Sequence, residues 1–135
     1  MTQVIIYTNE EGYVAVCMPT GELPIQEVKE KDTPADSIIV NKEDLPYEYD
    51  DFHSAWVLNN GVVTVDKNKA VEHTKARLRY EREPLFAKQD VLFQIALETG
   101  ADTTAIVAEK NRLRNLPNLA TPDLTLEQLR NLSAV

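Results

Sequence analysis

Two histidines, one cysteine and several acidic clusters are the residues of this chain whose types could do chemistry. His53 stands beside Phe52 near an expected strand start, and His73 lies on the polar side of an expected helix. Neither has a second histidine or a cysteine at ligand spacing, so the pattern does not point to zinc. Cys17 sits in an apolar, strand-like run and reads as a small buried thiol. As the single cysteine it cannot form an intramolecular disulfide, and only the two histidines could serve it as a base. Glu43-Asp44 and Glu48-Tyr49-Asp50-Asp51 lack the alternating oxygen ligands, the central glycine and the terminal glutamate of a calcium loop, and read as a solvated acidic segment. Glu81 and Glu83 are two residues apart on an expected helix, so they face different directions and cannot flank a glycosidic bond. The four glycines are scattered at turns, and no serine occupies a Gly-x-Ser-x-Gly elbow. The expectation is a protein with no catalytic, cofactor-binding or metal site, and not an enzyme.

The elements that would position these residues follow from composition and periodicity. At 135 residues, 43% hydrophobic and 27% charged, the chain has globular proportions. Its net charge of -8 disfavours a phosphate backbone or an anionic membrane surface as partner. No apolar run approaches the roughly 18 residues that span a bilayer. Met1–Ile6 is too short, and lacks the basic flank, for a signal peptide. The expected location is therefore a reducing cytoplasm.

Gln3–Thr8 and Tyr13–Met18 are rich in β-branched and aromatic residues around Asn9-Glu10-Glu11-Gly12, the pattern of a β-hairpin. Pro24–Lys31 predicts a two-turn helix and Ser37–Asn41 a third strand. Lys42–Asp51 predicts a loop. Phe52–Leu58 and Val62–Val65 then read as strands around the strong Asn59-Asn60-Gly61 turn. Trp56 in this hairpin is expected in the core, with an exposed recognition residue as the alternative.

From Lys67 to Glu98 helix formers dominate, with Asp66 as the expected N-cap. Pro84 predicts a kink or short break and a new helix start. The basic run Lys75–Arg82 is interleaved with Glu72, Glu81 and Glu83, and reads as a solvated helix with paired charges. Leu85, Gln89, Leu92, Phe93 and Ala96 form an apolar stripe, and Gly100 suits a C-cap. A further helix over about Thr103–Asn115 follows, with Asp102 as its N-cap, a face of Ile106, Val107, Lys110 and Leu113, and Pro117 as its stop. Thr125-Leu126-Glu127-Gln128 matches a capping box before a short helix to Leu132. The predicted fold is α+β. A small, mostly antiparallel sheet with a short helix forms a domain over 1–66, and a helical hairpin with a short terminal helix forms a domain over 67–135.

Within the helical part, Arg79-Tyr80-Glu81-Arg82-Glu83-Pro84-Leu85-Phe86-Ala87-Lys88-Gln89-Asp90 resembles the C-terminal region of tail and tail-fibre assembly chaperones of tailed bacteriophages. There an arginine-bearing helix enters a leucine-rich turn and then an acidic residue. Glu109-Lys110-Asn111-Arg112-Leu113-Arg114-Asn115-Leu116-Pro117 is similar to the motif closing their second helix, Leu-Arg followed after two residues by proline. The resemblance covers about a third of the chain. It departs from the family where a tryptophan is usual and Val91 stands, and where an aromatic is usual and Asn111 stands.

The resemblance implies a phage accessory protein that binds a tail or tail-fibre polypeptide and assists its folding or assembly in the bacterial host cytoplasm. The alternative is a virion component, such as a small tail, fibre-adaptor or capsid-decorating protein. The candidate partner-binding residues are Leu85, Leu92, Phe93 and Leu113, with Arg82 and Arg114 as orienting charges. Trp56 or a sheet edge would be the attachment surface in the alternative. The expected partner is a tail, tail-fibre or other virion protein, with no nucleic acid and no membrane, and a homo-oligomer is compatible with either reading.

Overall fold

The most buried strand, β1 (Gln3–Thr8), lies at the centre of a three-stranded antiparallel sheet. Its neighbours are β2 (Val14–Cys17) and β3 (Ile38–Asn41). The computed structural model describes residues 2–135. They fall into two compact units, residues 2–70 and residues 71–135.

In the first unit the β1–β2 turn is organised by Asn9, whose Oδ1 accepts from the backbone N–H of Glu11 and Tyr13. Val4, Ile5 and Ile6 are all fully buried because β1 is covered on both faces. Val4 and Ile6 point to one side, with Val14, Val16, Ile38 and Val40. They pack against Trp56, Leu58, Val63 and Val65 of a second, two-stranded antiparallel sheet, β4 (Trp56–Asn59) and β5 (Val62–Val65). Ile5 points to the other side, in register with Cys17 and Ile39, where α1 (Ile25–Asp32) approaches β1. Cys17 is half-buried in that row. The β4–β5 turn is tight because Asn60 and Gly61 both have positive φ, 52° and 81°. That is the geometry an Asn-Gly pair adopts at least cost.

The α+β class stands. The strands form two sheets instead of one because the segment between β3 and β4 carries the chain from one layer to the other. Two expectations there are corrected. Lys42–Asp51 is not an irregular loop, since 3-10 turns occupy Lys42–Asp44 and Tyr47–Ala55. The strand expected from Phe52 begins only at Trp56. Phe52 and Ala55 are both buried, and a three-residue repeat puts both on one side of a 3-10 turn, whereas a strand would place them on opposite faces. Trp56 is fully buried, donates from Nε1 to Tyr49 O at 3.1 Å and packs edge-on against Tyr47.

α2 (Lys67–Thr99) gives its first turn to the first unit and the rest to the second. It runs through Pro84 without a break, which corrects the expected new helix start. Proline removes one bond, to the carbonyl of Tyr80. Both residues are exposed, Tyr80 at 81%, so water satisfies that carbonyl and the helix continues. α3 (Thr104–Asn115), a 3-10 turn (Leu116–Leu119) and α4 (Leu126–Asn131) complete the second unit. Leu78, Leu116 and Ala134 form its buried cluster, with Leu85 and Leu132 against it. The capping box of α4 forms as expected, with Thr125 Oγ1 accepting from Gln128 N and Gln128 Oε1 from Thr125 N.

A side-chain clamp holds the last residues to α2 and α3. Glu81 Oε1 accepts from Ala134 N at 3.3 Å, Arg112 Nη2 donates to Ala134 O at 2.8 Å, and Arg77 Nη2 donates to Leu129 O at 3.1 Å. Arg77 also pairs with Glu81 at 2.7 Å. That bond, with the Ala134 N–H, holds the Glu81 carboxyl below its usual range.

Candidate functional site: an apolar helical hairpin

The distal half of α2 and the antiparallel α3 form a two-helix arm within the second unit. Its turn is set by Gly100, at a φ of 70°. Ala101 N donates to Ala96 O at 2.9 Å and Gly100 N to Leu97 O at 3.4 Å, the paired bonds that close a helix on a left-handed residue. α3 starts beyond Asp102, whose Oδ1 accepts from both Oγ1 (2.7 Å) and N (3.1 Å) of Thr104. The helix N-cap position itself is Thr103, one residue later than expected. The bonds from Thr104 hold the Asp102 carboxyl below its usual range.

Two polar links fix the register of the arm. Near its base, Arg82 Nη1 donates to Leu113 O (3.1 Å) and Arg114 O (3.3 Å). These are last-turn carbonyls of α3, where the helix dipole favours a cation. Arg82 also lies over the Phe86 ring at 5.5 Å. Further out, Lys110 Nζ pairs with Asp90 Oδ1 at 2.6 Å and lies 5.1 Å from the centroid of Phe93. Lys110 is mostly buried, at 17% side-chain exposure, so a lysine occupies a seam position that a strictly apolar hairpin would give to leucine.

Between residues 86 and 112 only Ala96 is buried. Phe93 and Ile106 are half-buried in the seam. The remaining apolar side chains face outward: Val91 is 60% exposed, Ile95 49% and Leu97 63%, with Leu92 and Val107 near two-fifths. Val91 and Ile95 are four residues apart, and Leu92 and Ile95 three, so the three make one continuous ridge. No ionisable residue occurs from Val91 to Leu97, nor from Thr103 to Ala108. A helix that is apolar around most of its circumference is stable only when covered.

The candidate residues therefore separate. Leu92 is on the ridge, Leu85 and Phe93 are half-buried beside the seam, and Arg114 is exposed, donating from Nη1 to Asn111 Oδ1 at 2.7 Å. Leu113 is fully buried and is corrected from contact residue to core residue. Trp56 has no exposed surface, as expected of a core residue, so the alternative of an exposed attachment residue does not hold. Arg82 is half-buried, and its Nη1 is engaged inside the arm. Val91 and Ile95 of the ridge, and the exposed Leu97, were not among the candidates. The signal available for them was the uncharged seven-residue run, which a search for one apolar stripe discounts.

Away from the arm, His53 stacks on Trp56 with ring centroids 4.3 Å apart, and its Nε2–H donates to Val14 O at 2.6 Å. It ties the 3-10 segment to β2. A cavity of about 340 Å³ in the first unit is lined by Ile6, Val40, Leu45 and Val63, with Asp44 as its one ionisable neighbour. Among the described residues no group of three or more His, Cys, Asp or Glu is placed to hold a metal ion. No described helix is long and apolar enough to cross a membrane. Comparison with family models, with curated proteins and with solved structures finds no match.

Proposed function

We propose that this protein is a phage-encoded accessory factor that grips a tail or tail-fibre polypeptide through its helical arm and assists its folding or assembly. The observation that carries the reading is the exposed, uncharged ridge of Val91, Leu92 and Ile95 on a hairpin held in register by Arg82 and Lys110. Such a ridge offers an unfinished polypeptide apolar contact in the manner of a helix-in-groove partner. The acidic remainder of the chain keeps the complex dissolved. The resemblance of residues 79–90 and 109–117 to tail and tail-fibre assembly chaperones supplies the partner class.

Co-expression with a phage tail or tail-fibre polypeptide tests the reading. The expected result is a higher soluble yield of that polypeptide and co-purification of the pair. Both are lost with Ile95→Glu, a substitution at an exposed position that leaves the fold intact. A tail polypeptide that behaves identically with and without this protein overturns the proposal.

A second reading, a small virion component, draws support from the two short sheets, whose outer strands leave unpaired backbone edges beside Val62, 59% exposed. Recovery from purified particles at a fixed copy number would favour it over the assembly role.

A further inference from the structure

The charge distribution singles out one occupant for the ridge when no client is present. With a net charge of -8, two copies of this chain repel at long range. Between residues 86 and 112 the arm holds little of that charge: Lys88, Lys110 and Arg112 stand against Asp90, Glu98, Asp102 and Glu109. Lys110–Asp90 and Arg112–Glu109 are closed within the arm, each at 2.6 Å. The uncharged stretch of the arm is thus where two copies meet with least repulsion and most apolar surface to remove from water. Two helices cannot cover each other on all sides, whereas four around a common core can.

We infer that the arm docks against the same arm of a second copy, forming a four-helix contact centred on Val91, Leu92 and Ile95. A two-fold contact requires a patch complementary to itself. The ridge itself meets that requirement: it is uncharged, and the exposed charges at its two ends, Lys88 and Glu98, are of opposite sign, so an antiparallel two-fold contact sets no like charges against each other. Area sets the strength. α3 has 12 residues and is about 18 Å long, and two helices side by side are about 20 Å wide, so each copy contributes roughly 400 Å². Stable interfaces use about 800 Å² per partner. The dimer is therefore weak and exchangeable. The inference rests on the reading of the arm as a docking surface that a client also uses: a tail polypeptide with more apolar surface displaces the second copy.

Sedimentation of the purified full chain, from a few micromolar to about 1 mM, reads this directly. The expected mass rises from 15.2 kDa towards twice that value. Added salt strengthens association, because it screens the net negative charge and leaves apolar contact intact. Ile95→Glu sets two carboxylates against each other and weakens association at least tenfold with unchanged helicity by circular dichroism. Leu119→Glu, at an exposed position outside the arm, leaves association as in the wild type. A monomer across the whole range overturns the inference, as does association that salt weakens or that Ile95→Glu does not change. A chain that stays monomeric yet holds the tail polypeptide overturns the dimer alone. A chain that dimerises and ignores the tail polypeptide overturns the functional proposal alone.

Discussion

Arg82 of α2 donates from one nitrogen to the carbonyls of Leu113 and Arg114, 3.1 and 3.3 Å away, and so closes the C-terminal end of α3. A cation here meets carbonyls that the helix leaves short of partners. Replacing Arg82 with methionine keeps most of the stem against Phe86 and removes the donor. The expected loss is about 1–2 kcal/mol in urea unfolding. Amide exchange should quicken first in the last turn of α3. Unchanged exchange there would mean that the bond contributes nothing.

Leu113 and Ile95 separate core from docking surface. Leu113 is fully buried, and Leu113→Ala is expected to cost about 2–5 kcal/mol by opening a cavity. Ile95 is half exposed, and Ile95→Ala should shift stability by only about 0.5 kcal/mol while weakening partner capture. Thermal unfolding and co-purification, measured on the same two variants, should rank them in opposite orders.

The Glu81 carboxyl is held below its ordinary 4.5 by the Arg77 side chain and then by the Ala134 N–H. Because the folded form binds its proton less readily than the unfolded form, Glu81 contributes stability above its unfolded value. That contribution fades as pH falls from about 4.5 through the lower folded value. Denaturation midpoints across this acid range should fall less steeply in Glu81→Gln than in the wild type, and the variant should be the less stable at neutral pH. Equal slopes would remove Glu81 from the clamp.

Pro84 lies inside an unbroken helix and leaves the Tyr80 carbonyl to water. Pro84→Ala restores a backbone bond and removes the ring. Stabilisation of about 1–3 kcal/mol is expected, read as a higher melting temperature with little change in helicity. A large gain in helicity would show that α2 is broken there in solution.

Among the described residues the buried hydroxyl of Tyr47 finds no hydrogen-bond partner, and burial, then the Asp50 charge, pushes that hydroxyl's pKa above its usual range. Tyr47→Phe deletes the unpaired group and keeps the ring against Trp56. Stability should hold or rise by about 1 kcal/mol. A marked loss would place an ordered water on that oxygen.

Local chemistry made much of the fold legible. The Asn59-Asn60-Gly61 turn, the Thr125–Gln128 capping box and the Gly100 helix stop each depend on a few neighbouring residues, and all three formed as read. The 3-10 segment over Tyr47–Ala55 was less legible. The repeat that buries Phe52 and Ala55 together has meaning only when a second sheet lies above the first. Pro84 misled for a related reason, since its cost depends on whether the orphaned carbonyl faces solvent or protein.

For the candidate site the division is sharper. Residue order alone determined that two helices meet at Gly100, that the arm lacks ionisable groups from Val91 to Leu97 and from Thr103 to Ala108, and that no cluster of nucleophile, base or ligand stands together in sequence. Tertiary structure decided which apolar side chains the hairpin consumes. Leu113 and the Arg82 head are used inside the arm, and Trp56 in the core of the first unit, while Val91, Leu92 and Ile95 are left outward. A helix sequence fixes only the angles between its side chains. Which angle faces the neighbour is set by the crossing of the two helices, and here Lys110–Asp90 and Arg82–Leu113 lock that crossing.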